Sequence, residues 1–309
     1  MTTDQKILDR IALNHVSDAD YEGERYSIYT DVETTGLNAD RDGITSLSYV
    51  KIYHDDDAIF GYGNIVSFFN DPGKPIPEIV SRITGITDDM VRGHRIDVER
   101  VSRDFQNAEL LIAHNAEFDR RFIEKAIPGI SNRVWGCSLK DIDLFAAGFV
   151  NRKLELLVHE TGYFHDAHSS SGDVAAGCHI MEHATYDGKS GLFHIMDATK
   201  KQHYLLKATG APFSMKDDLR DMEYRWFPGQ AGGVGKCWQK NVTEDTIDTE
   251  LQKLRRLYMN ASVNPAKAQI IKLSAQDRHS DHKNPIWENN LVDVITERAR
   301  NRIQFPDVP

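Results

Sequence analysis

The sequence predicts a mixed α/β fold, with helices packed on a sheet, followed by a small α+β unit. Apolar runs predict three strands in succession over 25–66, and after them short strands alternate with helical patterns. A smaller set of strand and helix patterns begins near residue 199. With 309 residues, two domains are the expectation. We place them at 1–192 and 199–262, with a tail and a terminal helix over 263–309.

Local signals place the individual elements. The first domain is predicted to contain strands at 25–32, 44–53, 58–66, 110–114 and 133–137, and helices at 76–83, 88–91, 98–105, 117–126, 139–147, 153–161 and 170–186. The second is predicted to contain strands at 204–209 and 236–242 and helices at 215–222 and 246–258. Asn115 is expected to cap the helix 117–126, and Asn284-Pro285 predicts the start of the terminal helix by the N-cap and N1-proline rule.

Composition narrows the classes of protein. Forty per cent hydrophobic and 27% charged residues are ordinary for a globular chain, and no run approaches the ~18 apolar residues that span a bilayer. The first residues lack the layout of a signal peptide. Three widely spaced cysteines predict neither a disulfide framework nor a thiolate zinc site. We therefore expect a cytoplasmic protein that does not bind membranes.

The net charge of −10 argues against a protein that holds nucleic acid by its overall charge. It does not argue against an enzyme that holds one strand end through bound metal ions. Part of the negative charge would then belong to the metal site itself.

Two acids on one predicted strand suggest such a site. Asp31 and Glu33 are two residues apart, so their side chains project to the same face of the strand. Crowded carboxylates repel one another unless a cation lies between them, and hard oxygen ligands favour Mg²⁺ or Mn²⁺. Alone, this pair more often marks a solvated strand face.

Two further places carry candidate residues. Asp119 lies in the first turn of a predicted helix, where an acid also suits the helix dipole, so structural and functional readings are equally open. His168 and Asp173 stand five residues apart where the helix 170–186 begins, in a region rich in histidine. Chance alone could produce that spacing.

Together these pieces resemble the DEDDh 3′–5′ exonucleases. Asp31-Val32-Glu33-Thr34-Thr35-Gly36-Leu37 is similar to the first exonuclease motif of that family, and His114-Asn115-Ala116-Glu117-Phe118-Asp119 resembles the second. The stretch from His168 to Asp173 resembles the third. Within the family, the pattern resembles the proofreading (epsilon) subunit of bacterial DNA polymerase III, in a stand-alone form with a small extra C-terminal domain.

The resemblance implies a ribonuclease-H-like fold with a mixed five-stranded sheet, and it assigns roles. Asp31 would bridge two metal ions, Glu33 and Asp173 would complete the first site, and Asp119 would support the second. His168 would take a proton from the attacking water, since unperturbed histidine is largely neutral at neutral pH. The substrate-binding candidates it implies are Thr34, Thr35, Gly36, Leu37, His114 and Asn115; for Asn115 the capping role is the preferred interpretation.

Three functions stay open at this point. The first is removal of nucleotides from single-stranded or frayed DNA 3′ ends in proofreading or repair, beside a separate DNA polymerase or repair protein. The second is trimming of RNA by the same constellation, because the metal site does not read the 2′-hydroxyl. The third is a catalytically silent nucleic-acid-binding module. The complete set of five residues argues against the third, because loss of catalysis usually removes a ligand.

The second predicted domain carries tryptophan and basic residues. Residues 199–262 hold eleven basic and eight acidic side chains, a net charge of +3. Trp226 and Trp238 could stack on bases of a single strand. The preferred interpretation is that both form the core of a small domain.

Overall fold

The computed structural model describes residues 8–229, 235–263, 267–280 and 290–293. The chain divides into two compact units, one of Met1–Lys200 with Gln276–Asp281 and one of Lys201–Ala275 with His282–Pro309. The first unit therefore extends past residue 192 and takes in a short segment from near the end of the chain. The functional domain assignment made from the sequence stays a prediction.

The first unit alternates short strands with helices. Its strands are β1 (Asp9–Arg10), β2 (Tyr26–Thr34), β3 (Ile44–His54), β4 (Ile59–Tyr62), β5 (Val66–Phe69), β6 (Leu111–Ala113), β7 (Trp135–Cys137) and β8 (Tyr163–Phe164). Its helices are α1 (Glu78–Thr84), α2 (Asp88–Val91), α3 (Val98–Asn107), α4 (Ala116–Ala126), α5 (Leu154–Glu160), α6 (Ser170–His183) and α7 (Gly191–Lys200).

The main sheet is mixed, as the sequence predicts. Its order is β4-β3-β2-β6-β7, with β5 also paired to β3. β3 runs antiparallel to β2, β4 and β5. β2, β6 and β7 run parallel to one another. The sheet has six strands rather than five because the predicted strand 58–66 is divided. Two short strands replace it, and both pair with different parts of the eleven-residue β3.

Helices cover both faces of this sheet, which confirms the predicted class. Ile28 of β2 belongs to a core that contains Phe105 of α3 and Phe122 of α4. Tyr29, which points the opposite way, belongs to a second core. That core also holds apolar residues of the helices α5, α6 and α7: Leu157, Val174, Ile180, Leu192 and Ile195. Gly177 permits the close approach of α6, because a Cβ there would lie 1.9 Å from the Tyr29 ring.

The helix predicted over 139–147 is wrong: these residues form turns. Aspartate side chains accept backbone amides in and just before this segment, a local bonding pattern that favours turns. The Asp141 carboxylate accepts the amide of Cys137, and the Asp143 carboxylate accepts the amide of Ala146.

The second unit is a five-stranded antiparallel sheet with helices. Its elements are β9 (His203–Thr209), α8 (Lys216–Asp221), β10 (Arg225–Phe227), β11 (Cys237–Thr243), α9 (Ile247–Asn260), β12 (Lys267–Leu273) and β13 (Asn290–Asp293), in the sheet order β10-β11-β9-β12-β13. Trp238 is buried in its core with Leu254 and Tyr258, as predicted. Trp226 is half-exposed on the edge strand β10, so the prediction of a core position is wrong for this residue.

The predicted terminal helix is wrong where the structure describes it. Residues 290–293 form a strand that pairs antiparallel with β12, and the rest of the predicted helix lies outside the described residues. Among the described helices, none has the length and apolar character needed to cross a membrane.

Candidate active site

Three carboxylates converge at the end of β2. Asp31 and Glu33 project from the same face of the strand, and Asp173 comes from the first turn of α6. Carboxylate oxygens of the three lie within 4.8 Å of one another, and all three residues are partly buried. The structure therefore brings together acids from sequence positions about 140 residues apart, in an arrangement that can hold a metal ion.

A buried group of serines fixes this convergence. Ser46 and Ser48 lie opposite Glu33 and Asp31 on the neighbouring strand β3. Their hydroxyls are each 2.7 Å from the Ser170 hydroxyl at the start of α6. The first turn of α6, which carries the third acid, is thereby bonded to the strand pair that carries the other two. The sequence alone does not mark these serines, because single hydroxyls in strands carry no recognisable signal.

Asp119 is held at the same strand from the other direction. Its carboxylate accepts the backbone amide of Val32 at 3.1 Å, and the residue is buried. The neighbouring strand β6 ends at Ala113, so no strand partner continues alongside the last residues of β2 on that side. The side chain of Asp119 supplies the hydrogen-bond acceptor that a neighbouring strand would otherwise provide for the Val32 amide. The structural and the functional interpretations of Asp119 are therefore compatible, because the residue forms a hydrogen bond within the fold and also lies beside the acid cluster.

In the absence of a bound cation, the surroundings of these carboxylates disfavour their ionised form. Burial raises the pKa of Asp31 well above its usual value, and the charges of Asp119, Asp173 and Glu33 raise it further. Burial also raises the pKa of Asp119 well above its usual value. Burial and the charge of Asp173 raise the pKa of Glu33 to about 8. Among the described residues, no lysine or arginine forms an ion pair with Asp31, Glu33 or Asp119. Acids in such surroundings favour a bound cation.

His168 lies in the loop before α6, exposed to solvent. Its backbone φ of 60° is in the left-handed region, which is uncommon for a residue other than glycine. Such outliers occur often at functional sites. The predicted position on a loop is confirmed, and its catalytic role stays a prediction.

A second histidine in the same loop was not singled out from the sequence. The Nε2 atom of His165 is 2.9 Å from Oδ1 of Asp173, and 4% of the His165 side-chain surface is exposed. The separation of eight residues matches no motif, so only the folded loop reveals the contact.

The predicted substrate-binding segment begins at Thr34, the last residue of β2, and ends at Leu37. Thr34 and Thr35 are buried, and Leu37 is 84% exposed. The Thr35 amide donates to the Gly43 carbonyl at 2.9 Å, so that amide is occupied within the protein. Gly36 lies so close to Asp42 that a Cβ would be 2.5 Å from its carboxylate oxygen. Contacts of Thr34, Gly36 and the exposed Leu37 with substrate stay predictions.

His114 has both ring nitrogens bonded inside the protein. Nε2 lies 2.9 Å from the Arg152 carbonyl, which can only accept, so Nε2 carries the hydrogen. Nδ1 then accepts from the Ser138 hydroxyl at 3.0 Å, and that hydroxyl accepts from Tyr29 at 3.1 Å. Burial lowers the pKa of His114, which keeps the ring neutral. A contact of His114 with substrate would require one of these bonds to open.

Asn115 stands at the N-cap position of α4, but its side chain makes no capping hydrogen bond. The preferred capping role is therefore wrong. Its φ of 68° shows instead that the residue makes the sharp turn between β6 and α4, a conformation that asparagine tolerates better than most residues.

The model of the RNase_T family, described as Exonuclease, matches residues 28–181. The DNA polymerase III PolC-type of Listeria innocua is 41% identical over 110 residues, which are 34% of this chain and 7% of that protein. The corresponding protein of Bacillus subtilis is 37% identical over 110 residues, with the same two shares. The chain thus spans less than a tenth of the length of these relatives.

Two solved exonuclease structures, each with DNA, match parts of this chain. Exonuclease X in complex with 5′-overhanging duplex DNA has a TM-score of 0.39 and 24% identity, covering 56% of this chain and 92% of that chain. Escherichia coli exonuclease I in complex with a dA16 oligonucleotide has a TM-score of 0.46 and 15% identity, covering 78% and 68%. The residues that the family model matches include all four acids and His168. Through residues 28–181, the chain belongs to the RNase_T exonuclease family.

Proposed function

We propose that this chain is a two-metal 3′–5′ exonuclease that removes nucleotides from single-stranded or frayed 3′ ends of DNA, in proofreading or repair. The observation that carries the proposal is the cluster of Asp31, Glu33 and Asp173, with carboxylate oxygens within 4.8 Å of one another. Membership of an exonuclease family supports the reaction class. The names of the polymerase relatives support a role beside a DNA polymerase or a repair protein.

The residues present fit hard divalent cations. All four candidate ligands are carboxylates, and burial together with the neighbouring acids raises the pKa values of Asp31, Asp119 and Glu33, as is expected of acids that await a cation. Oxygen ligands of this kind favour Mg²⁺ or Mn²⁺ over softer metals. A pair of such ions, when bound, stabilises the charge on the attacking and leaving oxygens of a phosphodiester.

The chain's own residues would perform the remaining tasks. His168 would accept a proton from the attacking water, and its exposed position on the loop before α6 leaves room for a strand end. Leu37, exposed beside the acids in sequence, would contact the last base. The backbone turn after β2 would hold the terminal 3′-hydroxyl.

Digestion of matched 5′-labelled DNA and RNA single strands tests this proposal. With Mg²⁺ or Mn²⁺ we expect a DNA ladder that shortens from the 3′ end, and no products with a chelator. Since a general base contributes about 10²–10⁴-fold, His168→Ala should lower the rate by that factor. If the RNA strand shortens while the DNA strand stays intact, the result would support the RNA-trimming alternative instead. Binding of both polymers with cleavage of neither would support a silent binding module.

A further inference from the structure

The loop that leads into α6 carries two histidines in different surroundings. His165 is buried, with Nε2 2.9 Å from Asp173 Oδ1, whereas His168 is exposed. An ionised carboxylate can only accept a hydrogen bond, so Nε2 of His165 is the donor when Asp173 is charged. Three residues apart, one ring is fixed against a candidate metal ligand and the other is open to solvent.

The loop is held from two sides, which keeps His165 in place. On one side β1 pairs with β8, and Ile11 donates its amide to the Phe164 carbonyl at 3.3 Å. On the other side Gly172 lies against the loop backbone, because a Cβ there would be 2.3 Å from the Asp166 carbonyl oxygen. The first turn of α6 and the histidine loop therefore form one packed unit, within which His165 reaches Asp173.

We propose that His165 is a positioning residue that orients the carboxylate of Asp173 toward Asp31 and Glu33. The inference rests on the proposed function, because it treats Asp173 as a metal ligand. An ion binds the ionised form of these acids, and in that form repulsion from Asp31 and Glu33 favours rotation of Asp173 away from them. The hydrogen bond from His165 opposes that rotation, so the three acids stay assembled. Partners of this kind change metal affinity by 10–100-fold when they are removed.

Calorimetric titration with Mn²⁺ alone, without nucleic acid, measures this effect directly. His165→Phe keeps the bulk of the ring but has no donor, and we expect it to weaken Mn²⁺ binding by about 10–100-fold. His165→Gln places an amide donor at a similar distance, and we expect Mn²⁺ affinity within about threefold of the original protein. His183→Phe is the matched control: it removes a more exposed imidazole from the other end of α6 and should leave Mn²⁺ affinity unchanged.

A second measurement separates the two loop histidines. His165→Phe should raise the Mg²⁺ concentration needed for half-maximal hydrolysis by the same factor as the loss of Mn²⁺ affinity. His168→Ala should lower kcat while Mn²⁺ affinity stays unchanged. Circular dichroism and thermal unfolding establish that each variant is folded before its Mn²⁺ affinity is compared.

The outcomes distinguish this inference from the proposed function. If Asp31→Asn loses Mn²⁺ binding while the folded His165→Phe retains it, the positioning role is wrong and the metal site stands. Equal weakening by His165→Phe and His165→Gln would also overturn the inference, because the donor would then not matter. If Asp31→Asn binds Mn²⁺ as well as the original protein does, the metal site itself is wrong, and the inference fails with it.

Discussion

Two charged clusters with inward-facing carboxylates lie at different places in the first unit, and they differ in what faces the acids. At the end of β2, Asp31 and Glu33 meet other acids and no paired lysine or arginine among the described residues. In the turn after β7, Asp141 lies 2.7 Å from the guanidinium of Arg278 and 3.1 Å from Nε2 of His279. The side chains of this second cluster are 1–6% exposed. Within the part of the chain that the structure describes, one cluster has its counter-charge and the other lacks it.

The pKa values of the two clusters move in opposite directions. Burial raises the pKa of Asp31, and the neighbouring acids raise it further. Burial would also raise the pKa of Asp141, but His279, Arg278 and the Cys137 amide outweigh it, so the pKa lies below its usual value. Burial lowers the pKa of His279 itself, although Asp141 opposes that shift. A buried acid with its own cation can stay ionised, whereas one without it holds a proton or binds a cation from outside.

The pairing partner of Asp141 comes from far along the chain. Residues 276–280 follow β12 of the second unit in sequence but belong to the first unit. The Arg278 carbonyl accepts from Arg120, and its guanidinium donates to the Trp135 carbonyl at 3.3 Å. This segment closes the first unit beside β7 and α4, the helix that also carries Asp119. We therefore expect a chain truncated at Lys200 to lose stability in the first unit.

The largest expected effect comes from removing one acid of the unpaired cluster. Asp31→Asn should abolish hydrolysis, because weakened metal binding removes several kcal/mol of transition-state stabilisation, on the order of 10³-fold or more in rate. The substitution also removes a repelling charge, so the metal-free variant should unfold at the same temperature as the original protein or higher. Labelled-strand digestion and thermal unfolding measure the two results. Full activity of purified Asp31→Asn would contradict the site.

Removing the cation of the Asp141 cluster should have the opposite effect: the protein loses stability but keeps its rate of hydrolysis. Arg278→Met leaves Asp141 buried without its cation, and such changes cost about 3–5 kcal/mol. Urea unfolding of the metal-free protein gives the free energy of unfolding. Under conditions in which the variant is folded, its rate of hydrolysis should stay near that of the original protein.

A double substitution is the control for that prediction. In Asp141→Leu with Arg278→Met, both charges are replaced by apolar groups of similar volume, which is often neutral for stability. We expect the double variant to recover most of the stability lost in Arg278→Met. Equal destabilisation by both would show that packing, rather than the unpaired charge, accounts for the loss.

Added divalent ions should stabilise the protein through the unpaired cluster. An ion that binds only the folded state at 100 times its Kd adds about 2.7 kcal/mol. Thermal unfolding with Mg²⁺ or Mn²⁺ should therefore show a higher Tm than with a chelator, and Asp31→Asn should lose most of that shift. Arg278→Met should keep the full shift although its baseline is lower. A shift that survives Asp31→Asn would place the ion elsewhere.

The sequence predicts the acids at the end of β2 but not the cluster around Asp141, and the reason is physical. Asp31 with Glu33, and His168 with Asp173, are close in sequence, so strand alternation and motif spacing reveal them. The mixed sheet and the helix that carries Asp119 follow from local periodicity in the same way. Arg278 and Asp141 are 137 positions apart, and nothing local marks either one. The same holds for the Ser170 contacts and for His165, because only the folded chain brings these groups together.

The smallest expected effect is the pH dependence of stability in the metal-free protein. Burial and Asp173 raise the pKa of Glu33 from 4.5 to about 8. Between those values the folded state holds a proton that the unfolded state has lost, so the free energy of unfolding falls as the pH rises. Asp141 acts oppositely: its lowered pKa adds stability above about pH 3.8, which is lost as the pH falls below that value.

Urea unfolding with a chelator at pH 5.5, 7 and 8.5 measures the first of these trends. Because Glu33 is partly exposed, water screens its charge, and we expect a fall on the order of 1 kcal/mol over this range. Glu33→Gln cannot ionise and should flatten the profile, although Asp31 and Asp119 leave a residual slope of the same sign. Saturating Mg²⁺ should flatten the trend, because the ion binds the ionised acids, so that the folded state, like the unfolded state, then holds no proton on them in this range. A metal-free profile that does not fall between pH 5.5 and 8.5 would mean that the β2 acids are ionised in the folded state, and the contrast with Asp141 would then be lost.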